Sequence, residues 1–122
     1  MKKQILLLTL ILFTAIQMNA ASSKLNLFSP DKSLNIEASV IDGILVYSVR
    51  KNEVTVIQPS HMGIKGDVDF SSGLKLKSVS KAKQYTETYQ APGEKRAHRT
   101  YTANFARLEV LNAAKQKLIV EF

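Results

Sequence analysis

The sequence has no cysteine among its 122 residues. That excludes disulfides, a thiol nucleophile, a cysteine-ligated zinc site and a lipid anchor on a processed N-terminal cysteine. Histidine is almost as scarce: His61 and His98 are the only two. They stand far apart, without a third ligand at the usual spacing beside either, so both read as solvated loop histidines rather than metal ligands. The G-x-S-x-G turn of a serine hydrolase is missing. No apolar run reaches the roughly twenty residues that a membrane span needs. No helical periodicity is evident after the first two dozen residues. What remains is enough chain for one domain, with 45% hydrophobic residues and a formal net charge of +7. That charge favours solubility and weak attraction to anions without specifying a partner.

The N-terminus has its own organisation. Met1-Lys2-Lys3 is a short positive stretch, Ile5 to Ile16 is apolar, and Ala20-Ala21-Ser22 offers small residues for cleavage. This predicts a secretory signal peptide over residues 1–21 and a mature chain over residues 22–122. The mature protein is expected to be exported, most simply to a periplasm, with no stable membrane anchor after cleavage. Lacking cysteine in an oxidising compartment, it must rely on its core alone.

From there the pattern is that of strands. Leu34, Ile36, Ala38 and Val40 alternate with Asn35, Glu37 and Ser39, the period of a strand with one buried face. Asp42-Gly43 tolerates positive φ and closes a two-residue hairpin. Ile44 to Val49 runs back, and a third run from Val54 to Ile57 is expected to stop before Pro59. Leu25, Leu27 and Phe28 precede this meander as a short first strand, joined by the turn Ser29-Pro30-Asp31-Lys32-Ser33. Beyond it, Ser60 to Phe70 reads as irregular. Leu74 to Lys83 reads as one alternating strand. Gln84 to Tyr89 follows, with Tyr85, Glu87 and Tyr89 on one face. Ala91 to Arg99 is expected to be a charged loop, and Thr100 to Leu111 a strand with Tyr101, Ala103 and Phe105 in alternation and a register change before Leu108. Leu118 to Phe122 starts a last strand. Strands at this spacing predict an all-β, antiparallel β-sandwich. The apolar run at its end suggests a domain incomplete at its C-terminus, since a bare strand there would be an aggregation risk.

Two polar clusters have the spacing of functional sites. Asp67 and Asp69 share a parity, as calcium ligands or an acid/base pair would, but too few oxygen ligands accompany them and they read as loop carboxylates. Lys75, Lys77, Lys81 and Lys83 form a one-sided row. An anionic track would use it, yet no aromatic residues are interleaved for base stacking. With the export signal, nucleic acid is not an expected partner, and the lysines read as protection of a strand edge.

The mature chain resembles the N-terminal domain of glycoside hydrolase family 97, a family of exported α-glucosidases and α-galactosidases. The resemblance rests on Ser29-Pro30-Asp31, on Asp42-Gly43-Ile44-Leu45-Val46-Tyr47-Ser48-Val49, and on Val56-Ile57-Gln58-Pro59-Ser60 followed by Met62-Gly63-Ile64. Glu87-Thr88-Tyr89 and Gly93-Glu94-Lys95 continue it. Tyr89 and Pro92 stand where that family's pattern has tryptophan, which leaves less aromatic surface there for stacking on sugar or barrel.

The resemblance implies part of a β-super-sandwich packed on a catalytic barrel. It implies catalytic glutamates and a calcium site that both lie beyond Phe122. No catalytic, metal-binding or cofactor-binding residue is therefore assigned in this chain, and no activity is expected of it alone. Glu94, Lys95 and Arg96 are the candidates for contact with sugar or barrel. The expected function is a non-catalytic, carbohydrate-associated domain or fragment of an exported hydrolase that helps shape the sugar cleft, with a carbohydrate or a catalytic barrel as partner. The alternative is an independent envelope module that binds a protein or a glycan.

Overall fold

The computed structural model describes residues 23–90, 92–93 and 98–122. Nine strands follow in chain order: β1 Lys24–Phe28, β2 Leu34–Ile41, β3 Ile44–Lys51, β4 Val54–His61, β5 Lys75–Val79, β6 Lys83–Gln90, β7 His98–Phe105, β8 Arg107–Leu111 and β9 Lys117–Glu121. They form a four-stranded sheet β1-β2-β3-β4, a three-stranded sheet β5-β8-β9 and a two-stranded ribbon β6-β7. Every named pairing is antiparallel, and the described residues contain no helix. The expected all-β, antiparallel sandwich is what the chain forms.

The first sheet is built by tight turns. Ile41 opposes Ile44 across Asp42-Gly43, whose φ angles are 50° and 76°. Two consecutive positive φ values match the right-handed twist of the strands they join. A second such turn, Asn52-Glu53, was not expected. Its φ angles are 46° and 68°, and glutamate is uncommon there. The amide of Asn52 donates to the Ser33 carbonyl at 2.8 Å, which ties the turn to the start of β2.

Strand β4 continues through Pro59 to His61, past its expected end. It lies at the sheet edge, and Gln58 and Pro59 together stand opposite Ser48, because Val49 pairs with Ile57 and Tyr47 with Ser60. A bulge on an edge strand accommodates a residue that has no N–H to donate. His61 accordingly sits on a strand opposite Val46 rather than in a loop.

The second sheet departs further from simple alternation. The run from Leu74 to Lys83 is two strands, because β5 ends at Val79 and β6 begins at Lys83. Leu76 opposes Val110 and Ser78 opposes Glu109, so Lys77 is the extra residue of a bulge. The bulge resets the phase, and Leu76 and Val79 both pack on the core. Strict alternation would put Val79 on the side of the lysines. The chain from Thr100 to Leu111 breaks at Ala106, one turn of the pleat before the expected shift. Ala106 exchanges both backbone hydrogen bonds with Phe122, at 3.1 and 3.0 Å. Across the break, the Arg107 amide is met by the Ser80 hydroxyl at 2.9 Å.

The core lies between the two larger sheets. Leu25 and Leu27 of β1, Ala38 of β2 and Leu45 of β3 meet Leu108 and Val110 of β8, with Leu74 and Ala106 at the margins. Leu45, Leu108 and Val110 have no exposed surface. Burying each such side chain stabilises the fold by about 1.5–3 kcal/mol.

Candidate functional site

Among the described residues, the ribbon contributes no side chain to the core. Both of its strands are eight residues long, and β6 is exposed throughout. Its register runs from Lys83 opposite Phe105 to Gln90 opposite His98. Opposed residues share a face, so the ribbon has two unlike faces. One carries Tyr85, Glu87 and Tyr89 against Ala103, Tyr101 and Arg99, with Phe105 at its root. The other carries Thr86 and Thr88 against Thr102 and Thr100.

The threonine face holds itself together. Thr86 and Thr102 hydroxyls lie 2.9 Å apart and those of Thr88 and Thr100 2.8 Å. At its root, Asn104 Nδ2 donates to the Phe28 carbonyl at 2.8 Å. That bond turns this face toward the first sheet. Between them lies an apolar cavity of about 290 Å³, lined by Leu27, Phe28, Pro30, Leu34, Ile36 and Phe122 among others.

The tyrosine face looks the other way. Its rings meet edge to face in a continuous series. Tyr85 lies 5.9 Å from Phe105 and 5.9 Å from Tyr101, and Tyr101 lies 6.2 Å from Tyr89. Interplanar angles of 65° to 81° are those favoured by the ring quadrupole. The three tyrosines keep 40–44% of their surface exposed. The Tyr101 hydroxyl donates to the Glu87 carboxylate, and the Tyr85 hydroxyl stands 3.4 Å from it. The hydrogen bond to Glu87, and then that to Tyr85, hold the Tyr101 phenol above its ordinary ionisation range. The face ends in a hollow of about 450 Å³ lined by Tyr85, Phe105, Arg107, Glu121 and Phe122, where the Arg107 guanidinium donates to Glu121.

The other candidate residues are scattered. Glu94, Lys95 and Arg96 fall between β6 and β7 and lie outside the described residues. His98 opens β7 opposite Gln90, on a different sheet from His61, so the structure does not bring the two histidines into one pair of strands. Asp67 and Asp69 both line a polar cavity of about 410 Å³ with Ser72, Asn112 and Gln116. The Asp69 carboxylate is occupied locally. It accepts from the Ser71 hydroxyl at 2.5 Å and the Ser71 amide at 2.8 Å, bonds that hold it below the usual carboxylate range. Among the described residues, no group of three or more histidine, aspartate or glutamate side chains is placed to hold a metal ion. The lysine row is divided: Lys75 and Lys77 belong to β5, and Lys83 to the ribbon. Lys77 pairs with Glu109 at 3.5 Å.

The polar groups of this face are bonded to one another. The Glu87 carboxylate is already taken up by a phenol, and the rings offer edges and hydroxyls. Alternation alone gives the stripe Tyr85, Glu87, Tyr89 and the stripe Tyr101, Ala103, Phe105. It does not bring them together, because hairpin register depends on the residues between them.

The fold is a β-sandwich domain with an exposed aromatic ribbon. The model of the glycosyl-hydrolase 97 N-terminal family matches residues 27–122, and the chain belongs to that family. Among solved structures, a β-arabinopyranosidase aligns over 80% of this chain with 29% identity and a TM-score of 0.73. A glycoside hydrolase family 97 enzyme from Pseudoalteromonas sp. strain K8, in complex with acarbose, aligns over 80% with 21% identity and a TM-score of 0.67. The chain covers 16% and 15% of these two proteins. No curated protein matches it.

Proposed function

We propose that this domain serves an exported family 97-type glycoside hydrolase as its non-catalytic β-sandwich, packing on a catalytic barrel and helping to shape the sugar cleft. The observation that carries the reading is the family match over residues 27–122. The small share of the solved enzymes that the chain covers agrees with it, since most of each enzyme lies outside this fold. The domain supplies surface and rigidity, and the reaction belongs to groups elsewhere. Export follows from the N-terminal signal pattern.

Mixing residues 22–122 with a family 97 enzyme expressed without its N-terminal domain tests this. A stable complex on size-exclusion chromatography, together with a rise in hydrolysis of a nitrophenyl glycoside, is the expected result. No complex and no change in rate would sink it. A second reading, an independent envelope module, is favoured by one observation: the sandwich already encloses its own buried cluster. A cooperative melt of the free monomer without any affinity for the barrel would select it.

A further inference from the structure

We infer that the tyrosine face of the β6-β7 ribbon is a protein-docking surface, and that its occupant is the catalytic domain of a family 97-type hydrolase. This rests on the function proposed above and names the contact within it.

Three features favour a protein over a sugar. Sugar rings stack on flat, open aromatic faces, whereas these rings are turned edge to face at 65° to 81°. In each of these pairs one ring gives its face to the edge of the other. The Tyr101 hydroxyl, in the middle of the series, is committed to Glu87. Exposed tyrosine together with arginine, here Arg99 opposite Tyr89, is also the composition of interface cores.

The ribbon's own energetics point the same way. An isolated two-stranded hairpin is marginal in water. Here β6 is exposed along its whole length, and the ribbon touches the first sheet mainly at its root through Asn104. A long arm with an aromatic face is worth its ordering cost when a partner covers it. The face leads directly into the hollow of about 450 Å³ beside Phe105. An apolar anchor side chain fits there, with the Arg107–Glu121 pair at the rim. The partner has the required size: more than four-fifths of each matched enzyme lies outside the aligned segment.

The test combines Tyr85→Thr, Tyr89→Thr and Tyr101→Thr, since threonine keeps strand propensity while removing the rings. Thr88→Val with Thr100→Val is the control on the opposite face. Affinity is measured against the family 97 enzyme lacking its N-terminal domain. The tyrosine variant should bind on the order of tenfold more weakly or worse, with the control unchanged. Equal binding by a folded tyrosine variant overturns this inference and leaves the proposed function standing. No binding by the wild-type chain overturns both. If the variant does not fold, amide exchange on the wild-type chain decides. Protection of β6 and β7 on complex formation supports the docking face, and unchanged exchange there overturns it. Chemical shift changes at Tyr85 or Tyr89 on adding maltooligosaccharide to the free domain would replace it with a sugar site.

Discussion

The carbonyl of Gly43 accepts a hydrogen bond from the amide of Leu74 at 2.8 Å. This joins the tip of the β2-β3 hairpin to the turn that leads into β5. A Cβ on Gly43 would lie 3.1 Å from the Gly73 nitrogen and 3.3 Å from its Cα, and φ at Gly43 is +76°. Gly43→Ala should therefore be destabilising on two counts, by about 1–2 kcal/mol from the backbone conformation and more from the contact. At Gly73 φ is +65° but nothing lies within 4 Å of the Cβ position. Gly73→Ala should cost clearly less. Urea denaturation of the two variants gives the order, and equal midpoints would contradict the close approach.

Leu108 is fully buried at the centre of the second sheet. Leu108→Ala should cost about 2–5 kcal/mol, a large share of the 5–15 kcal/mol that holds a domain folded. Ile119, on the neighbouring strand, is 44% exposed. Ile119→Ala should fall within roughly 0.5 kcal/mol of the parent. Thermal melts of the pair measure how one-sided β9 and β8 are.

The turn before β2 titrates. Asp31 accepts from the Ser29 hydroxyl at 2.5 Å, the Ser33 hydroxyl at 2.8 Å and the Ser33 amide at 3.1 Å. These bonds lower its carboxyl from 3.8 to about 2. A depressed carboxyl stabilises the fold above its unfolded pKa, and the contribution is lost as pH falls through the folded one. Asp31→Asn should narrow the difference in melting temperature between pH 5 and pH 2. An unchanged pH profile would show that the turn does not hold the carboxylate.

Tyr101 behaves in the opposite sense. Its phenol is raised by donating to Glu87, so the bond favours the fold below the ordinary phenol range near 10 and is lost as pH rises through the folded value. Glu87→Gln should bring Tyr101 ionisation to lower pH. A ring-carbon NMR titration reads the shift directly.

Much of the fold was legible because its signals are local. Asp42-Gly43 announced a turn, the alternation from Leu34 to Val40 announced a half-buried strand, and the order of motifs to Ile64 announced the family. The errors share one cause. Pro59 inside β4, Val79 packed on the core and the break at Ala106 all depend on bulges and on a second strand lying alongside. A period-2 pattern carries no mark of an extra residue until its partner is known.

The same division holds for the candidate site. The sequence by itself determined that Tyr85 and Tyr89 share a face, and that Tyr101 and Phe105 share one, because successive residues of a strand point to opposite sides. Only the tertiary structure decided that these are the same face, that Glu87 meets Tyr101 across it, and that it turns away from the first sheet. Those facts depend on the pairing of residues up to 22 positions apart, from Lys83 to Phe105, and on the anchoring of Asn104 to Phe28. Long-range register is settled by how much apolar surface the whole chain can bury at once, and no single stretch contains that information.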